Sequence, residues 1–268
     1  MSDRPEPASV LDAILARTRE RVAAEQERRP LGSSHPSVRA APPVRSLGAA
    51  LTRPGRTNVI AEHKRRSPSR GAIREDLVPA DVARGYEAAG AAAISVLTDE
   101  PFFGGRMAHL EEVRRATTLP VLRKDFVLDP WQVWEARAAG ADAVLLIVAA
   151  LTEAELRSLL GVVREAGLDA LVEVHDLSEL DRALAAGSRI VGVNNRDLKT
   201  LAVSLETALS LAPAIPDDVV AVAESGIRTS ADLVHLREAG FDAFLVGEGL
   251  MAAPDPGEAL KRLLEETS

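Results

Sequence analysis

Five times along the chain, a helix end rich in small residues runs into a glycine and then into an apolar stretch. The copies are EAAGAAAISVL (87–97), RAAGADAVLLI (137–147), REAGLDALVEV (164–174), LAAGSRIVGVN (184–194) and REAGFDAFLVG (237–247). A glycine after the last helical turn supplies the left-handed residue that closes a helix, and the run behind it reads as a strand buried on both faces. Repetition at this interval predicts an alternation of helix and parallel strand.

Applied to the whole chain, the same pattern gives eight strand candidates, at about 58–64, 93–98, 120–125, 142–148, 169–175, 189–194, 218–224 and 242–247. Helical periodicity fills the intervals. In 152–165, Leu156, Leu159, Leu160 and Val163 follow helical spacing, and Thr152 with Glu155 forms a capping box. Asp129 followed by Pro130 gives the cap-then-proline order of another helix start. Eight β-α units in a chain of 268 residues fit one closed α/β domain, a (β/α)8 or TIM barrel, better than an open doubly wound sheet.

Residues 58–268 are expected to form the barrel, and residues 1–57 a helical extension too short to hold its own core. Within it, 8–27 reads as an amphipathic helix with Val10, Leu11, Ile14, Leu15 and Val22 on one side. A proline- and serine-bearing stretch (30–43) and a short helical piece at 47–51 follow.

Composition narrows the chemistry. There is no cysteine, which removes thiolate nucleophiles, disulfides and sulfur-ligated metals. A net charge of −8 argues against non-specific nucleic-acid binding. The longest apolar run, 143–151, is nine residues, against the roughly 20 needed to span a bilayer. The first residues lack the basic start and apolar core of a signal peptide, so a cytoplasmic location is expected. Of 32 basic residues only four are lysines: Lys64, Lys124, Lys199 and Lys261. Arginine cannot give up its proton, so a chain this rich in it has reason to keep lysine where an adjustable ammonium is needed.

A barrel of this type carries its active site at the C-terminal ends of its strands. There the chain places Glu62, Lys64 and Ser67 after the first strand, Lys124 after the third, Glu173 and His175 after the fifth, Asn194 and Arg196 after the sixth, and Glu224 with Ser225 after the seventh. Period-two alternation puts Glu62 with Lys64, and Asn194 with Arg196, on one face. A single charged loop residue is most often merely solvated. Two lysines, three glutamates, an asparagine and an arginine on one rim point instead to acid and base chemistry. His63 and His175 make a poor metal pair, because His63 has the opposite parity to Glu62 and Lys64 and no third histidine joins them. After the seventh and eighth strands come Ser225-Gly226-Ile227 and Gly247-Glu248-Gly249, the two loops that in this architecture present backbone N–H groups to a phosphate.

The strings VIAEHKRRSPSRG (59–71), LPVLRKDF (119–126), VEVH (172–175), GVNNRDL (192–198), AESGI (223–227) and LVGEGLM (245–251) resemble those of the indole-3-glycerol-phosphate synthase family. The resemblance covers the barrel, and the extension is similar in length and character to that family's. It implies closure of the indole ring of 1-(2-carboxyphenylamino)-1-deoxyribulose 5-phosphate, with loss of carbon dioxide and water, in tryptophan biosynthesis. It implies Lys124 as general acid at the ketone oxygen, Glu173 as general base in the dehydration, and Lys64 at the substrate's anionic groups and as a second acid. Glu62 and Glu224 resemble the carboxylates that position the lysines; Ser67, Asn194, Arg196 and Ser225 match substrate-orienting positions; Gly226, Gly247 and Glu248 match the phosphate side. At Glu248 the backbone N–H, not the carboxylate, is the expected contact. Gly249 stands where some relatives carry a small hydroxyl residue. No metal and no organic cofactor is implied.

Two rivals remain. The phosphoribosylanthranilate isomerase family also binds a phosphate in a barrel but uses a cysteine, which this chain lacks. A barrel that binds a sugar phosphate without turnover is the other, and Lys124 and Glu173 argue against it.

Overall fold

The computed structural model describes residues 9–197 and 200–265, so Lys199, expected on the surface, lies outside the described residues. Eight parallel strands form the closed barrel: β1 (Asn58–His63), β2 (Ala93–Leu97), β3 (Val121–Lys124), β4 (Ala143–Ile147), β5 (Asp169–Val174), β6 (Ile190–Asn194), β7 (Val220–Glu224) and β8 (Ala243–Val246). Each strand pairs with its successor, and β8 closes on β1 in the register Asn58 to Ala243. Every strand falls within two residues of its sequence-derived position.

The recurring phrase acts as its residues require. Gly90, Gly140, Gly167, Gly187 and Gly240 have φ of 95°, 87°, 70°, 84° and 108°, a region closed to most side chains. In three copies the aspartate behind the glycine ties neighbouring backbone at the barrel floor. Asp142 accepts from the N–H of Val121 at 2.8 Å and of Arg45 at 2.7 Å, Asp169 from Leu47 at 2.6 Å, and Asp242 from Ala221 at 2.8 Å. Thr152 and Glu155 form the capping box, and Asp129 caps Pro130–Ala139.

Alternation along the strands separates two apolar layers. Ile60, Leu122, Leu145, Leu171, Ile190, Val222 and Leu245 fill the barrel interior, while Val59, Val96, Val144, Val172, Val191 and Phe244 pack against the helices. Continued to the strand ends, the interior parity delivers Glu62, Lys124, Glu173, Asn194 and Glu224 to the mouth. Arg123 has the other parity and turns outward, where it is buried against Asp125 at 2.9 Å and Glu135 at 2.8 Å.

The segment ahead of β1 runs from one end of the barrel to the other. Helix α1 (Val10–Arg28) is held beside the mouth by Arg21 to Asp125 (3.5 Å) and Gln26 to Asp129 (2.6 Å). The helix Leu47–Leu51 plugs the floor, with Leu47 and Leu51 fully buried in the interior layer. One expectation needs correction: Ile14, Leu15 and Val22 are buried as the stripe predicts, but Val10 is 40% exposed. The first turn of α1 overhangs the open mouth, so Val10 faces a cavity instead of packed side chains. Among the described residues no helix is long and apolar enough to cross a membrane.

Candidate active site

The strand ends converge on one open cavity at the barrel mouth. Glu62, Lys64, Lys124, Glu173, Asn194, Arg196, Glu224 and Ser225 all line it. Lys124 lies at its centre, with Nζ 3.1 Å from Glu173 Oε2 and 3.5 Å from Glu224 Oε2. Lys64 Nζ pairs with Glu62 Oε1 at 3.0 Å. Asn194 Nδ2 donates to Glu173 Oε1 at 3.0 Å, and its own Oδ1 accepts the Arg196 backbone N–H at 3.0 Å, which fixes the amide between the Glu173 carboxylate and the Arg196 main chain.

Burial and neighbours set the charge of each group. Burial works against the Lys124 ammonium, but Glu173, Glu224 and Glu62 overcome it and hold the proton well above the usual lysine range. Glu173 is buried too, yet Lys124, His175 and Asn194 keep it ionised far below the ordinary carboxylate range. Glu62 is likewise lowered, because the charges of Lys64 and Lys124 outweigh its burial. Glu224 goes the other way, pushed up to about 8 by burial and by the like charges of Glu173 and Glu62, against the pull of Lys124. Of the three carboxylates around the lysines, Glu62 and Glu173 are thus held ionised while Glu224 is held toward its neutral form. Glu224 Oε1 also has no hydrogen-bond partner among the described residues and is buried against Gly192 of β6.

Two lobes open from this centre. One is apolar, walled by Val10, Leu11 and Ile14 of α1 with Phe103, Phe126 and Leu201, and Ser67 lies at its edge. Ser67 belongs to a short hairpin, Arg66–Ser67 with Gly71–Ala72, that the sequence reading left as loop. The other lobe is lined by Gly226, Gly247, Glu248 and Gly249 together with Arg70, Arg196 and Arg228. Ser225 and Gly226 have φ of 64° and 81°, a consecutive left-handed pair that turns the chain sharply at this lobe.

Three features were not legible in the sequence. Gly247 clears space as well as turning the chain, since a Cβ there would lie 2.5 Å from Glu62 Oε1. Glu248 was expected to offer its backbone; its carboxylate is also engaged, with Oε1 3.0 Å from Arg70 Nη1 and Oε2 3.6 Å from Arg196 Nη2. Arg70 and the two phenylalanines carry no motif that marks them beforehand. His63 is neutral and packed edge-on against His109 at 5.8 Å, away from the mouth. Among the described residues, no group of three or more His, Asp or Glu is arranged to hold a metal.

A model of the indole-3-glycerol phosphate synthase family matches residues 11–263. Proteins of that name from Aromatoleum aromaticum and Laribacter hongkongensis are 51% and 50% identical over 259 and 260 residues, covering 96% of this chain and 99% of each relative. Among solved structures, a mandelate oxidase aligns with a TM-score of 0.60 at 20% identity, covering 78% of this chain and 72% of that one. Thiamine phosphate pyrophosphorylase from Pyrococcus furiosus aligns with a TM-score of 0.60 at 19% identity, covering 83% of this chain and 99% of that one. These two share the barrel alone. With a family model spanning nearly the whole sequence and half of its residues identical to named members, the chain belongs to the indole-3-glycerol phosphate synthase family.

Proposed function

We propose that the mouth residues divide the family's reaction as follows. The activity is that of a carboxy-lyase of tryptophan biosynthesis, acting on a small phosphorylated substrate. Its first step joins the ring carbon bearing the carboxylate to the ketone carbon. The ketone oxygen takes up charge as that bond forms, and Lys124 donates the proton that neutralises it. A lysine with a raised pKa still serves, because the acceptor is a developing alkoxide, a far stronger base than the amine left behind. Carbon dioxide then departs, and its bonding electrons restore the aromatic ring. In the dehydration Glu173 removes a proton from carbon while the hydroxyl leaves as water, protonated by a lysine ammonium. Lys64, paired with Glu62, binds an anionic group of the substrate and is the second acid.

Asn194 orients Glu173, Glu224 holds Lys124 from the other side, and Ser67, Ser225 and Arg196 orient the substrate. The lobe at Gly226, Gly247 and Glu248 receives the phosphate, and the apolar lobe under α1 receives the aromatic ring. Residues 1–57 are then part of the catalytic unit and residues 58–268 its barrel. The steps exchange protons and carbon dioxide without net oxidation, so the scheme needs no metal or organic cofactor. The biosynthetic role supports a cytoplasmic location, and the net charge of −8 argues against a nucleic-acid partner.

The observation that carries this reading is the placement of Lys124 between Glu173 and Glu224. Incubation with the carboxyphenylamino-deoxyribulose phosphate should yield a fluorescent indole product and carbon dioxide in equal amounts. Tight binding of that compound without turnover would instead establish a binding-only barrel.

A further inference from the structure

His175 follows Glu173 by two residues, so strand alternation sends both side chains to the barrel interior. Its Nε2 lies 3.4 Å from Glu173 Oε1, and its Nδ1 lies 3.0 Å from Glu179 Oε2. The same Glu179 oxygen accepts the backbone N–H of His175 at 2.8 Å, so ring and backbone are fixed by one carboxylate. Burial opposes a charge on the imidazole, but the Nδ1 hydrogen bond to Glu179 and the nearby charges of Glu173 and Glu179 push its pKa up to about 10. A row of carboxylate, imidazolium and carboxylate thus stands behind the proposed base.

The two oxygens of Glu173 are served separately. Oε2 faces Lys124, while Oε1 faces His175 and Asn194. Once Lys124 has given its proton to the substrate, the nearest cation is gone and Glu173 is left facing the Glu224 carboxyl across the vacated ammonium. A carboxylate in that setting is more easily protonated from water or substrate, and once protonated it cannot act as the base. We propose that His175, anchored by Glu179, is a positioning residue that keeps Glu173 ionised and oriented while Lys124 is deprotonated, so that Glu173 is free to act in the dehydration.

This rests on the reading of Glu173 as the base, and the test separates the two. The pH profiles of kcat and KM are to be compared for the parent, His175→Asn, Glu179→Gln and Glu173→Gln. Removing the imidazolium should move the acid limb of kcat upward by about one pH unit, which lowers kcat roughly ten-fold at pH values on that limb, with KM little changed. Glu179→Gln should move the limb in the same direction by less. A merely structural histidine would lower activity without moving the limb, and unmoved limbs in both variants overturn the role of His175. Near-parental activity of Glu173→Gln would instead overturn the base itself. Nitrogen-15 spectra of the parent at pH 8.5 add a readout independent of any variant: one of the five histidines should remain doubly protonated. A spectrum with no imidazolium at that pH overturns the proposal.

Discussion

Gly192 on β6 makes room for Glu224 on β7: a Cβ at position 192 would lie 2.1 Å from Glu224 Oε1. That separation is far inside van der Waals contact, so the carboxylate occupies the space a side chain would need. Gly192→Ala should therefore displace Glu224 and loosen its hold on Lys124. We expect kcat to fall at least ten-fold with KM little changed, and stability to drop by about 1–3 kcal/mol from overpacking. Gly161, inside the helix Glu153–Glu165, has nothing within 4 Å of its Cβ position and is the control. Gly161→Ala should raise stability by about 0.5–1 kcal/mol and leave kcat alone. Parental kcat in Gly192→Ala would show that the position of Glu224 is not critical.

Lys124→Arg preserves the charge and removes the transferable proton. If Lys124 is the acid, kcat should fall by about 10²–10⁴-fold while substrate binding changes little. Lys261→Arg is the matching control, since Lys261 sits on the surface opposite Glu265 at 3.9 Å. A Lys124→Arg enzyme within a few-fold of the parent would assign Lys124 a purely electrostatic role.

The carboxylate of Glu248 occupies Arg70 and Arg196 from the side where the phosphate is proposed to bind. Glu248→Gln removes that competing charge, and these partly exposed pairs are worth only about 0.2–1 kcal/mol. Inorganic phosphate should then inhibit at concentrations lower by up to about five-fold. Unchanged or weaker inhibition would place the anion elsewhere.

His63 is pushed down to about 4 by burial and by His109 and Arg65, against the charge of Glu62. In the unfolded chain a histidine titrates near 6.5. Between those values the unfolded state holds more protons, so stability should fall as the pH drops from about 6.5 toward 4, by at most about 1.4 kcal/mol per pH unit. Urea unfolding at several pH values should show a gap between the parent and His63→Gln that varies across this window. A gap constant with pH would mean that folding leaves the pKa of His63 unchanged.

Deleting residues 1–46 removes the wall of the apolar lobe and the Arg21 and Gln26 contacts to the loop after β3. KM should rise and the melting temperature fall. A truncated enzyme equal to the parent in both would separate the extension from catalysis.

The sequence by itself determined the barrel. Its five glycine-to-strand phrases encode the helix stops and the buried parallel strands locally, through left-handed glycines and period-two burial, which is why strand positions could be read to within two residues. The same parity carried Glu62, Lys124, Glu173, Asn194 and Glu224 to one mouth, because side-chain direction along a strand is a local property. What only the tertiary structure decided depends on distance between segments far apart in the chain. Closure of the barrel puts Lys124 between carboxylates from β5 and β7, and that juxtaposition, not residue type, drives Glu173 and Glu224 to opposite ends of the carboxylate range. No local pattern marks Gly192 or Gly247 as space for a carboxylate from a neighbouring strand, Glu248 as the partner of Arg70, or Val10 as an exposed rim residue. Each of these follows from how separate strands and loops are brought into register by the closed sheet.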